Sequence, residues 1–162
     1  MSFMLGSDPG NRTVYGARVW VPAGVAIASL WAGVRQGGTY ASSPAENRLG
    51  VYDDDGTALG FTPNDDALWS VAGWRGGALP TPVPASTAGR FVYVLMLVGG
   101  YTGVIVPYPS SANDANAPWF TLSTVTGKRR AFYQNGVDVM PASFDPQAYG
   151  SITTYLPLLG IS

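Results

Sequence analysis

The sequence predicts an all-β chain: an antiparallel β-sandwich, jelly-roll-like, of about eight to ten short strands. Three observations lead there. Apolar residues alternate with a period of two in several short runs, which puts one side of each strand in a core. Turn residues separate those runs, with 21 glycines and 13 prolines among 162 residues, while helix signals are weak. The chain is nevertheless 46% apolar and 12% aromatic, a content that a disordered Gly/Pro-rich chain lacks. The length suits one compact domain. Residues 1–10 read as an N-terminal arm and residues 11–162 as a single sandwich domain.

Taken in order, the first strand runs from Thr13 to Val21, with Thr13, Tyr15, Ala17, Val19 and Val21 on one face. Gly16 and Arg18 point its other face to water, although Val14 and Trp20 dilute that signal. Pro22-Ala23-Gly24 ends the run as a turn. A second strand covers Ala26 to Val34 and stops at Gln36-Gly37-Gly38. Leu49–Tyr52 and Ala58–Thr62 flank Asp53-Asp54-Asp55-Gly56-Thr57. An Asp-Gly pair between two apolar runs is a hairpin signal, because glycine accepts a positive φ without a Cβ clash. Pro63 to Trp69 holds at most one helical turn. Gly76 to Gly89, with Pro80, Pro82 and Pro84, reads as an extended crossover at a sheet edge, since proline donates nothing to a ladder. Further strands are expected at Arg90–Val98, Gly103–Val106, Trp119–Val125, Arg130–Gln134 and Ser151–Leu159, with a polar loop at Ser110–Pro118.

One strand breaks the pattern. From Phe91 to Val98 both alternating faces are apolar, whereas a sandwich strand buries one. The second face is covered either by a long connection of the same chain or by a neighbouring subunit.

Composition excludes several classes of chemistry. Cysteine and histidine are both absent, so disulfides, zinc sites built on Cys or His, and Ser-His-Asp or Cys-His pairs are excluded. A net charge of −1 makes no field that would steer nucleic acid or an acidic membrane, and Lys128-Arg129-Arg130 is too short for a nucleic-acid footprint. Only 12% of residues are charged, so the surface is covered by small polar residues and backbone, by another subunit, or by both. The greasiest stretch, Phe91–Val98, is far below the roughly 20 residues of a spanning helix, and Met1–Gly6 lacks the form of an export signal. No membrane insertion is expected.

Candidate sites are few. Asp53-Asp54-Asp55-Gly56 superficially resembles a calcium loop, but the position that should carry the first ligand is Val51 and the expected glutamate falls at Thr62. A solvated hairpin turn is the plainer reading; a looser calcium site would have to recruit Asp65 or Asp66. Paired-carboxylate catalysis has one glutamate to draw on, Glu46, while the aspartates sit in turns, where they bond local backbone. Neither a nucleophile-elbow nor a P-loop motif occurs. The aromatics offer more. Trp20, Trp31, Trp69, Trp74 and Trp119, with Tyr40, Tyr101 and Tyr108, supply either core or a stacking surface for sugars or partners. Trp74, Tyr101 and Tyr108 are the candidates for exposure; Trp74 and Tyr101 lie beside glycines.

Several motifs together carry a resemblance. Arg18-Val19-Trp20-Val21-Pro22-Ala23-Gly24, the hairpin from Asn47 to Gly60 with its Val51-Tyr52-Asp53 and Gly56, Ala67-Leu68-Trp69-Ser70, Pro82-Val83-Pro84 and Ala88-Gly89-Arg90-Phe91-Val92-Tyr93-Val94 occur in that order. In this order they resemble a β-sandwich structural module of virion proteins from actinobacterial tailed bacteriophages, over nearly the whole chain from about Asn11. The resemblance implies a non-enzymatic virion protein, made in the host cytoplasm and released by lysis. A capsid decoration or minor capsid protein on the major capsid lattice comes first; a minor tail or tail-fibre protein that binds host-envelope glycan through exposed aromatics comes second. A cellular carbohydrate-binding domain or small hydrolase is the rival from another class. Expected partners are other virion proteins and further copies of the chain, in a homotrimer, with no cofactor. The expected assembly surface comprises Ser2, Phe3, Met4 and Leu5 of the arm and Val92, Val94, Met96 and Val98 of the doubly apolar strand.

Overall fold

A computed structural model describes residues 3–7, 11–104, 106–109, 124–125, 128–129, 131–152 and 159–162. It is all-β, with antiparallel sheets packed face to face as a β-sandwich. Strands are numbered in chain order. A six-stranded sheet runs β14 (Ser151–Ile152), β13 (Ala131–Asn135), β2 (Thr13–Val21), β8 (Arg90–Val98), β5 (Arg48–Asp53), β6 (Ala58–Phe61). A three-stranded sheet, β15 (Leu159–Ile161), β3 (Ile27–Val34) and β7 (Gly73–Val83), packs on one of its faces. Three short ribbons complete the described chain: β1 (Phe3–Ser7) with β10 (Val106–Pro109), β4 (Thr39–Tyr40) with β9 (Tyr101–Thr102), and β11 (Thr124–Val125) with β12 (Lys128–Arg129). Among the described residues no helix is long and apolar enough to cross a membrane.

Strand β8 is the centre of the molecule. It pairs with β2 from Thr13↔Val98 to Val21↔Arg90 and with β5 from Arg48↔Leu97 to Asp53↔Val92. Every side chain from Val92 to Val98 is fully buried. Val92, Val94, Met96 and Val98 meet Leu30, Ala32 and Val34 of β3 and Leu49 and Val51 of β5 in the core between the two sheets. This corrects the expected assembly surface. Those four side chains are core of a single chain and reach no neighbour.

Tyr93, Leu95 and Leu97 point the other way and are covered by the connection after β13, through Met140 and Phe144, with Val137 and Tyr149 at its margin. Of the two covers the sequence left open, the structure has the connection of the same chain. The same layer corrects the water-facing side expected of β2. Val14 is fully buried there, and a Cβ at Gly16 would stand 2.4 Å from the Phe132 ring, so only glycine lets that ring lie flat on the strand. Arg18 is also drawn in: its guanidinium lies 3.9 Å from the Phe91 ring centroid and its Nε donates to Asp54 Oδ1 at 2.7 Å.

The connection, residues 136–150, forms no strand of its own, and its backbone is tied down one anchor at a time. Arg12 donates to Asp138 through Nε at 2.5 Å and Nη2 at 2.7 Å. Met140 N donates to Glu46 Oε2 at 2.9 Å and the Tyr52 hydroxyl donates to Pro141 O at 2.7 Å. Beyond these, Ala58 N donates to Ala142 O and Phe144 N to Gly56 O. Gly56 is required twice over: its φ is +87°, and a Cβ there would overlap Phe144 O. The Asp-Gly turn therefore serves as the expected hairpin and also as the seat of this connection.

Other expectations shift by a few residues, with one larger change. Gly73–Ala78 of the expected crossover, or just before it, is ladder-paired with β3, and a bulge between Ile27 and Ser29 lets Val83 pair again with Ile27. Pro80 and Pro82 occupy the irregular stretch between, where missing donors cost least. Gly103–Val106 is not one strand; β9 ends at Thr102 and β10 begins at Val106. Asp66–Trp69 is a turn closed by bonds from Leu68 N to Asp65 O and Ser70 N to Ala67 O, not a helical turn. Residues 3–7 of the expected arm pair with β10 of the same chain, Phe3 opposite Pro109 and Met4 opposite Tyr108, which satisfies backbone that a free arm would leave to water or a partner. Ser2, the side chains of Phe3, Met4 and Leu5, and the loop at 110–118 lie outside the described residues.

Candidate functional site

The outer face of the three-stranded sheet carries the site. On β3, Leu30 and Ala32 point into the core, so Trp31 and Gly33 point out. The register sets Trp31 opposite Gly76 of β7 and Gly160 of β15, and Gly33 opposite Trp74. Directly opposed residues share a face. The two indoles therefore share one face, Trp31 beside Gly160 and Trp74 beside Gly33. A Cβ built on Gly160 would lie 3.9 Å from Trp31 Cβ and 3.9 Å from Trp74 Cζ3, so the floor between the two side chains is bare. Trp31, Trp74, Gly160 and Ile161 line an open cleft of about 380 Å³.

The Trp31 ring and the Trp74 backbone are held from behind. Trp31 Nε1 donates to Ser162 Oγ at 3.2 Å, and Ser162 is fixed by backbone bonds to Ala28 and Ser29. Trp74 is 55% exposed, yet its backbone is braced by the next residue. Arg75 donates from Nε to Val71 O at 2.9 Å and from Nη2 to Ala72 O at 2.7 Å, closing the turn that delivers Trp74 to the strand. An open, flat apolar surface is the result, with no charged side chain in the lining among the described residues.

The other candidates fall elsewhere. Tyr101 is buried, at 1% exposure; its ring packs in the inter-sheet core and its hydroxyl donates to Asp66 O, which corrects its expected exposure. Its glycine neighbours serve close approach instead: a Cβ at Gly99 would stand 2.5 Å from Ala45 Cβ and one at Gly100 2.7 Å from Ser43 Cβ. The Tyr108 side chain and Trp119 lie outside the described residues. Trp69 is core, donating from Nε1 to Leu97 O at 3.0 Å. Trp20 is half exposed, but it packs edge-on against Phe91 at 4.8 Å and covers Gly89, away from the cleft. Trp31 was one of eight aromatics singled out by type; alternation along β3 is the signal that puts it outward. Gly160 and Ile161 carried no signal, because their role depends on pairing with a strand more than 120 positions earlier.

The carboxylates are structural in their contacts. Asp54 pairs with Arg18, Asp55 Oδ1 accepts from Thr57 N at 2.8 Å, and Asp65 Oδ1 accepts from Ala67 N at 2.8 Å. Glu46 lies 2.8 Å from Arg48 and also holds Met140 N. Among the described residues no three His, Cys, Asp or Glu side chains come together as metal ligands. The groups whose proton affinity moves are phenols. Burial pushes Tyr93 up to about 12 and raises Tyr52, Tyr101 and Tyr149 above the ordinary value. All four are held neutral near pH 7, so none is a ready base.

Comparison with protein-family models, with curated proteins and with solved structures finds no match to this chain.

Proposed function

We propose that the chain is a non-enzymatic structural protein of a bacteriophage virion, a small sandwich set onto a larger assembly that acts through a contact surface. The observation that carries the reading is the Trp31–Trp74 cleft. Two large apolar rings kept at the surface of a rigid sheet, in a chain that buries every side chain of Val92–Val98, mark a surface that is used. The ordered motifs from Arg18 to Val94 supply the virion context. A doubly covered central strand also suits a module that must persist in a particle, because both of its faces are closed within one chain.

The head is the first address, as a decoration or minor capsid protein on the major capsid lattice. With Val92, Val94, Met96 and Val98 in the core, such docking would use sheet edges, loops and the outer face of the three-stranded sheet. The tail is the second address, favoured by the aromatic cleft, whose flat walls suit a host-envelope glycan. Immunogold electron microscopy with antibody to this chain tests both. Gold over heads supports the capsid role, gold at tail tips supports the receptor-binding role, and particles without gold overturn the virion reading.

A further inference from the structure

We propose that the Trp31–Trp74 cleft binds an uncharged polysaccharide, with the C–H face of a sugar ring laid on the indoles above Gly160. The inference deepens the tail-side reading and rests on it for the source of the glycan, the host envelope; the binding chemistry rests on the cleft alone.

Three features select this occupant. Among the described residues the lining holds no charged side chain, and Arg75, next along β7, has its guanidinium committed to the carbonyls of Val71 and Ala72. An anionic or cationic ligand would find no counter-charge among those residues. The patch is small: among the described residues four line it, whereas a stable protein interface needs about 800 Å² and 20–30 residues per partner. A second copy of the chain is therefore a poor fit to this cleft by itself. Adding a partner's strand along β7 would meet Pro80 and Pro82, which donate no hydrogen bond. What remains is a ligand that is neutral, extended and flat on one side.

The indoles suit such a ligand in kind as well as in size. An aromatic π-face is electron-rich, and the axial C–H bonds of a pyranose present a weakly positive apolar face to it. Trp31 and Trp74 stand on neighbouring strands of one sheet, so their backbone spacing is set by the ladder, and the Trp31 ring, bonded to Ser162 Oγ, has little rotamer freedom to lose on binding. The cleft is open to solvent, so its ligand need not be enclosed. A single site of this kind binds weakly, and many copies on one particle would raise the avidity by effective concentration.

Affinity electrophoresis of the full chain tests the proposal, in native gels containing dextran, mannan, galactan or arabinogalactan, with polygalacturonate as the anionic comparison. At least one neutral polysaccharide should retard the protein. Trp74→Ala and Trp31→Ala should each weaken binding about tenfold. Trp20→Ala, which removes an exposed indole outside the cleft, should bind like the parent chain. Gly160→Val keeps both indoles and fills the floor between them; it should lose retardation, and Trp74→Phe should recover part of it relative to Trp74→Ala. Size-exclusion chromatography of each variant, run alongside, reads folding and oligomeric state. No retardation in any neutral gel, retardation by polygalacturonate alone, or retardation that survives both Trp→Ala changes overturns the proposal. So does a Trp74→Ala chain that drops from oligomer to monomer yet still binds glycan. Gold-labelled particles without retardation would sink the cleft proposal and leave the virion reading standing. Retardation with unlabelled particles would do the reverse.

Discussion

The two faces of β8 are buried to the same extent and by different means. On one, Val92, Val94, Met96 and Val98 meet a second sheet, whose strands satisfy their own backbone through a ladder. On the other, Tyr93, Leu95 and Leu97 meet residues 136–150, which have no ladder and are fastened through separate side-chain and turn contacts. The chemistry of the two cores follows this split. The inter-sheet core is mainly aliphatic, because pleated surfaces interdigitate well with branched side chains. The other is a cluster of rings in which Phe144 touches Tyr52, Tyr93, Phe132 and Tyr149 at centroid distances of 5.2 to 5.3 Å. Rings span the irregular gap that an uneven backbone leaves. An irregular cover can thus replace a sheet, provided one large side chain occupies its middle and glycine lets the turn beneath approach.

The strongest way to break this comparison is to remove the middle. Phe144→Ala should cost about 3–5 kcal/mol in urea unfolding, and Met96→Ala on the opposite face about 2–5 kcal/mol. Magnitude alone does not separate the two. The decisive readout is local: Phe144→Ala should speed amide exchange and proteolysis within 136–150 while the β3–β7 ladder stays protected, and Met96→Ala should loosen both sheets together. Uniform loss of protection in both variants would show that the connection is no separate layer.

Alkali distinguishes the faces by chemistry. The aromatic side holds Tyr52, Tyr93 and Tyr149, all raised by burial, with Tyr93 pushed up to about 12. A phenol of ordinary value about 10 in the unfolded chain that is raised when folded binds its proton more tightly in the folded state. Its contribution is fully present below pH 10 and is lost as pH climbs toward 12. Unfolding free energy should therefore fall over that interval, and Tyr93→Phe should flatten the fall. Urea titrations at stepped pH measure it; an unchanged slope in Tyr93→Phe would assign the alkaline loss to Tyr52 or Tyr149 of the same face or to Tyr101 of the inter-sheet core.

Much of the sandwich was legible because period-two alternation and turn residues are local signals. β2 and β8 fall where the pattern puts them, Thr13–Val21 and Arg90–Val98, and the Asp53–Gly56 hairpin joins β5 to β6. What was not legible is long-range. Residues 136–150 show no periodicity, since their cover of β8 is built from anchors to Arg12, Glu46, Tyr52 and Gly56, residues 80 or more positions away. β7 was obscured by its prolines, and with it the strand position of Trp74. The candidate site shows the same division. Trp74 could be picked as exposed from the glycines around it, while Tyr101, chosen on the same grounds, turned inward because Asp66 O lies where its hydroxyl can reach. Gly160 between the indoles depends on a pairing that no local signal announces.

The smallest effect sharpens the comparison most finely. Arg12 and Asp138 form a bidentate pair at the edge of the connection, with side chains 47% and 39% exposed. Both ends are in water, so solvent and salt screen the attraction, and a double-mutant cycle of Arg12→Ala with Asp138→Ala should give a coupling of only about 0.2–1 kcal/mol. In 1 M salt, where the screening length is about 3 Å, the coupling should shrink toward zero. The backbone bond from Val137 N to Arg12 O at 2.9 Å survives both substitutions and should keep the segment in place. A coupling well above 1 kcal/mol that ignores salt would mean that charge, not the Phe144 ring cluster, holds this layer down. The two faces of β8 would then differ in kind of force and not only in kind of backbone.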